Sequence, residues 1–138
     1  MNASASVSLQ MTPLPYEVDF TGFVSNTVAP RWMERLRILL MARCFPDVDL
    51  NDATNLSVIR RAEIDYLRPI RFTDPIMGRA CIKKVLSSSW VVGFSFTNML
   101  TSDVCFEGSQ IGVFIDARTF KPKRMPSLIN LKLKSLKV

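Results

Sequence analysis

Histidine is absent from all 138 residues of this chain. That single gap removes Ser-His-Asp and Cys-His catalysis, histidine general bases and histidine–zinc sites together. An enzyme built here works with carboxylates, hydroxyls, lysines or backbone donors. Cysteine is scarce too: Cys44, Cys81 and Cys105 are odd in number, far apart and without CxxC spacing. They predict buried free thiols in a reducing compartment and no metal site. No apolar run approaches the roughly 18 residues of a membrane span, and no Lys or Arg precedes Arg31, so the basic flank of a signal or transit peptide is missing. These absences point to a cytoplasmic protein with no membrane span. Acids, finally, are missing from the end: Arg118, Lys121, Lys123, Arg124, Lys132, Lys134 and Lys137 follow Ala117 with no Asp or Glu among them. The net charge of +6 therefore belongs to the C-terminal part. No nucleic-acid motif accompanies it, so the reading is a solvated basic segment without a nucleic-acid partner, and attraction to phosphates on a cofactor-like substrate comes second.

What is present describes one globular domain over residues 1–138. Hydrophobic content of 48% against 22% charged is ordinary for a packed chain and speaks against disorder. Residues 6–11 alternate weakly, as a strand or a loose N-terminus. Tyr16-Glu-Val-Asp reads as a short extended segment, and Thr21-Gly22 punctuates it as a turn. Val28, Trp32, Leu36 and Leu39/Leu40 then recur at helical spacing with charged residues between them. Pro30 lacks an N–H and belongs in a first turn, so the cap falls at Asn26 or Thr27, while Pro46 ends the helix near Cys44. Trp32, Met33 and Leu36 are expected in the core.

From residue 55 the texture turns to strands: 55–66, 76–86, 90–100 and 104–115, separated by Pro69, Thr73-Asp74-Pro75, Ser87-Ser88-Ser89 and Thr101-Ser102-Asp103. Short connections predict antiparallel pairing of successive strands. One helix followed by such a meander is an α+β pattern. The last segment, LINLKLKSLKV, alternates Leu with Lys and reads as an edge strand, a short helix or an unfolded tail. An acid in a turn ahead of a long helix, as Asp19 is here, can face the positive helix end where an oxyanion would also be held. On spacing alone it equally serves as an ordinary loop acid, and Asn26 as a plain cap.

Four ordered stretches resemble one family. They are Glu17-Val-Asp19-Phe-Thr-Gly22-Phe-Val24-Ser-Asn26 before the helix, Ile64-Asp-Tyr66-Leu-Arg-Pro69-Ile-Arg-Phe-Thr-Asp74, Ser88-Ser89 before a strand, and Val113-Phe-Ile-Asp116 with Lys121-Pro122 and Met125-Pro126. In this order they resemble the hotdog-fold thioesterases of the 4-hydroxybenzoyl-CoA thioesterase type, over about residues 14–130, with 127–138 as a basic tail. Glu17 stands where relatives carry Asp, Phe20 follows Asp19 where small residues or Pro are usual, and Pro30 and Arg31 replace a common Asn-x-x-Tyr.

The resemblance implies a long central helix wrapped by an antiparallel sheet of about five strands. It implies hydrolysis of an acyl-CoA or acyl carrier protein thioester, with coenzyme A part of the substrate and no separate cofactor or metal. Asp19 becomes the catalytic carboxylate, the Asn26 backbone N–H polarises the thioester carbonyl, and Gly22 permits close approach of the loop. Tyr66, Lys83, Ser88 and Ser89 fall at substrate-binding positions, the last three toward the nucleotide of coenzyme A, although sheet packing for Tyr66 and solvation for the lysine are the plainer readings. A lone sheet of this kind leaves one edge and one apolar face uncovered, which predicts a homodimer with its site at the subunit interface, or a tetramer. The alternative function is a non-catalytic hotdog protein that binds an acyl-pantetheine ligand or a protein partner. A hotdog dehydratase is disfavoured, because those enzymes usually pair an acid with His.

Overall fold

A computed structural model describes residues 5–136. Strand β1 (Ser6–Met11) leads through a hairpin loop into helix α1 (Val28–Cys44). Strands β2 (Ser57–Tyr66), β3 (Ile76–Val85), β4 (Ser89–Asn98) and β5 (Val104–Phe114) follow, and a second helix, α2 (Ser127–Ser135), closes the chain. The strands form one antiparallel sheet in the order β1-β3-β4-β5-β2.

Helix α1 lies on one face of this sheet because its apolar residues keep to one stripe. Val28, Ala29, Trp32, Met33, Leu36, Leu40 and Cys44 are buried, while Leu39 turns outward. They meet Val7 and Met11 of β1, Ile76 and Ala80 of β3, Val92 and Phe96 of β4 and Phe106 of β5 in one core. Each such large side chain, fully buried, contributes about 1.5–3 kcal/mol. Gly78 of β3 makes the approach possible: a Cβ there would meet Leu36 Cδ1 and Met11 Sδ, each at 3.0 Å. The expected helix, its end near Cys44 and its buried Trp32, Met33 and Leu36 all hold.

Four expectations are corrected. The strands after residue 55 do not form one meander, since only β3, β4 and β5 are hairpin neighbours. Strand β2 pairs with β5 at the far edge. Residues 67–75 cross the end of the sheet, with Leu67 N–H on Cys105 O (2.8 Å) and Met99 N–H on Pro75 O (2.8 Å). That path is too long for a tight turn, and Pro69 and Pro75 offer it no donors. Second, the basic end is not simply solvated. In α2 the residues Ile129 and Leu133 are buried, and Leu136 beyond it joins the same core. Third, Cys81 is half-buried on the outer side of β3, so only Cys44 and Cys105 fit the buried-thiol expectation. Fourth, the uncovered face is not apolar. Alternation sends Arg79 and Lys83 of β3, Ser95 of β4, Glu107 of β5 and Asp65 of β2 to the outside. Arg79, Ser95, Glu107 and Asp65 stand in one cross-strand row.

Candidate active site at the start of the long helix

The chain between β1 and α1 folds as a small hairpin. Val18 and Val24 bridge, Asp19 N–H reaches Phe23 O (3.0 Å) and Ser25 N–H reaches Glu17 O (2.8 Å). Its tip is the turn Asp19–Gly22, closed by Gly22 N–H to Asp19 O at 3.1 Å. Gly22 takes φ +85°, a left-handed conformation that side chains rarely adopt, and a Cβ there would meet nothing within 4 Å. Glycine is therefore required for backbone shape rather than for space.

Asp19 is exposed, and its Oδ1 accepts both the Thr21 hydroxyl and the Thr21 N–H (2.8 Å). These bonds favour the anion, the side-chain one first, and hold the carboxyl below its ordinary range. Asp19 is thus ionised at neutral pH. No bond within the described residues engages its Oδ2.

The hairpin is tied down at three places. Val24 N–H bonds Ile70 O (2.8 Å) and Phe23 bridges Arg71, both in the 67–75 crossing. Trp32 of α1 donates its indole N–H to Glu17 Oε2 (3.1 Å), while Glu17 Oε1 accepts from Leu14 N–H (2.8 Å). Tyr66, at the end of β2, donates its hydroxyl to Asn26 O (2.7 Å). Its ring stands edge-on to Phe106 at 5.1 Å, and Phe106 packs against Phe96 and Trp32. The carbonyl of Asn26 is therefore anchored to the aromatic core.

At the start of α1 the expected side-chain cap from Asn26 or Thr27 does not form. Thr27 is the cap residue by position, with no side-chain bond to the helix. Ser25 does the work instead, its hydroxyl accepting from Thr27 N–H (3.2 Å) and its carbonyl from Val28 N–H (3.0 Å). The main-chain N–H of Asn26, an exposed residue, has no acceptor among the described residues. A free donor at a helix N-terminus can hold a developing oxyanion.

Asp19, Gly22, Asn26 and Tyr66 are thus brought to one end of the molecule. Lys83, Ser88 and Ser89 are not. Ser89 pairs with Val113, whereas Tyr66 pairs with Phe106. Seven residues of strand separate the two rungs, roughly 23 Å. Lys83 lies on the outer face, its stem across Gly93. Ser88 spends its carbonyl on Phe114 N–H (2.8 Å). Thr21, Ser25, Glu17 and Trp32 were not singled out as site residues from the sequence. Asp19-x-Thr21 and Ser25-x-Thr27 are local side-chain-to-backbone patterns readable in principle, whereas the Glu17–Trp32 bond spans fifteen residues.

Comparison with known proteins bears on the family and the fold. The model of the thioesterase-like superfamily matches residues 13–133. No curated protein matches. Among solved structures, a predicted thioesterase from Bacillus stearothermophilus superposes with a TM-score of 0.80 at 24% identity, covering 95% of this chain and 96% of that one. A 1,4-dihydroxy-2-naphthoyl-CoA thioesterase from Synechocystis gives 0.83 at 11% identity, covering 96% and 98%. A point mutant of 4-hydroxybenzoyl-CoA thioesterase in complex with 4-hydroxybenzoyl-CoA gives 0.79 at 15% identity, covering 93% and 98%. At these identities the likeness is one of fold, and the fold is the expected hotdog.

Proposed function

The chain belongs to the thioesterase-like superfamily, with thioester hydrolysis as its reaction class, and from that premise we propose that it cleaves an acyl-CoA or acyl carrier protein thioester in the cytoplasm. The observation that carries this reading is a pairing at one helix end. The ionised Asp19 tops a hairpin whose other limb delivers the free N–H of Asn26 at the start of α1.

The thioester carbonyl oxygen sits on the Asn26 N–H. Asp19 either takes a proton from the attacking water or attacks the carbonyl carbon itself to give a mixed anhydride that water then opens. The thiolate leaves and takes up a proton, and the acid is released. Negative charge grows on the carbonyl oxygen as the bond forms, which is where a preorganised donor contributes most, about 2.7–4 kcal/mol in comparable sites. Tyr66 and Glu17 hold this frame in place rather than touching the reacting atoms. The chemistry calls for no metal and no cofactor beyond the substrate's own coenzyme A.

Within one chain Lys83, Ser88 and Ser89 do not converge with Asn26, since Lys83 stands on the outer face and Ser88–Ser89 lie at the opposite end of the sheet. We assign their nucleotide contacts to a second copy, in a homodimer joined along β2. That strand is a sheet edge with Val58, Ile59 and Tyr66 exposed, and an unpaired edge offers its backbone donors and acceptors to another strand.

The test is thiol release from a panel of aromatic and fatty acyl-CoAs, run beside Asp19→Asn. The native protein is expected to turn over at least one class, and the variant to lose about 10²–10⁴-fold. Turnover equal in both would remove Asp19 from the mechanism. No turnover by either would favour the non-catalytic binding reading.

A further inference from the structure

A cavity lies at the other end of α1, between the inner face of the sheet, α2 and the loop before β2. Its volume is about 230 Å³, and its walls include Met41, Phe45, Ile82, Trp90, Phe114 and Leu133. Dry cavities of roughly 150 Å³ lined by such side chains accept benzene, so this one accommodates a ring with a short substituent or a medium-length chain. Within one chain it is separate from the thioester site, because Arg37 in its lining is eleven residues beyond Asn26, roughly 16 Å along a helix.

Arg37 makes this more than a packing defect. Its side chain is only 19% exposed. Nη1 donates to Oε1 of the buried Gln110 at 2.6 Å, and the nearest carboxylate, Glu34, stands 3.7 Å from Nη2 and is itself 59% exposed. Burial works against the guanidinium charge, and Glu34 offsets that only in part. A guanidinium carries five donors suited to planar bidentate acceptors. Here one neutral acceptor and one distant, solvated carboxylate serve it. A largely buried cation in the lining of a mainly apolar cavity is complementary to one ligand chemistry, an apolar body ending in a carboxylate.

We propose that the cavity between α1, α2 and the sheet binds a small apolar carboxylic acid, its tail against Phe45, Trp90 and Leu133 and its carboxylate on Arg37. The acid released by thioester hydrolysis has this chemistry, but the site does not depend on hydrolysis. Binding is read directly and is expected to persist in Asp19→Asn, so its failure and the failure of the thioesterase reading are separate results.

The experiment titrates the full-length protein with octanoate and with octan-1-ol, by calorimetry and by tryptophan emission, which Trp90 reports from the cavity wall. Octanoate is expected to bind at least about tenfold more tightly than the alcohol, the equivalent of one charge-assisted contact. Arg37→Gln should bring the two ligands to similar affinity, and Leu133→Trp, which fills the cavity, should remove both. Equal affinity of the two ligands for the native protein overturns the proposal without recourse to any variant. So does the absence of binding, or octanoate affinity unchanged in Arg37→Gln.

Discussion

Asp19 and Thr21 sit two residues apart, and that short distance governs the acid–base character of the site. The Thr21 hydroxyl and N–H both bond one carboxylate oxygen and favour the anion. The reactive form is the carboxylate, so activity is expected to stay level from neutral pH downward and to fall only as Asp19 takes its proton. That protonation lies below the ordinary carboxylate value. Thr21→Val removes the hydroxyl bond and keeps the N–H bond. The Asp19 pKa should then rise toward its ordinary value, and the acid limb of the kcat/KM profile should move to higher pH. Activity at neutral pH, where the group is ionised in both proteins, should be little changed. A limb that stays in place would mean that another group sets it.

Among the elements, α2 shows how an ambiguous sequence is resolved. In LINLKLKSLKV the alternating Leu131 and Leu133 suit a strand, while Ile129, Leu133 and Leu136 recur at helical spacing. Both patterns are present, and local periodicity cannot choose between them. The core chooses: Ile129, Leu133 and Leu136 are 2%, 5% and 6% exposed, whereas Leu131 stays 64% exposed. Ile129→Ala and Leu133→Ala should therefore each cost about 2–5 kcal/mol, as for other buried aliphatic truncations. Urea unfolding at unchanged slope measures this. A loss below about 0.5 kcal/mol, typical of surface substitutions, would show that α2 does not pack. Helix α1 carries no such ambiguity, since its apolar stripe admits one period and Pro30 and Pro46 mark its two ends.

For the whole molecule the decisive feature is the placement of β2. The strand itself was legible in residues 55–66, but its partner was not, because pairing depends on the path of residues 67–75 across the sheet end. That path leaves β2 as an open edge and separates Lys83, Ser88 and Ser89 from Asn26. The proposed dimer should sediment at twice the chain mass of 15.6 kDa. Val58→Lys together with Ala62→Lys places charges along the edge, a recognised device against strand pairing. The double variant is expected to sediment as a folded monomer by circular dichroism and to lose thiol release. A variant that stays dimeric would place the interface elsewhere.

The missing histidines, the stripe of α1, the strand segments and the Asp19–Gly22 turn are properties of composition and near neighbours, and the sequence alone determined them. The order of the strands, the helix at the C-terminus, the polar outer face and the anchoring of Asn26 by Tyr66 were decided by tertiary structure. Each of these depends on contacts between residues far apart in the chain, such as the forty residues between Asn26 and Tyr66. Local pattern carries information about which face a residue presents. Which partner that face meets is fixed only when the chain closes on itself.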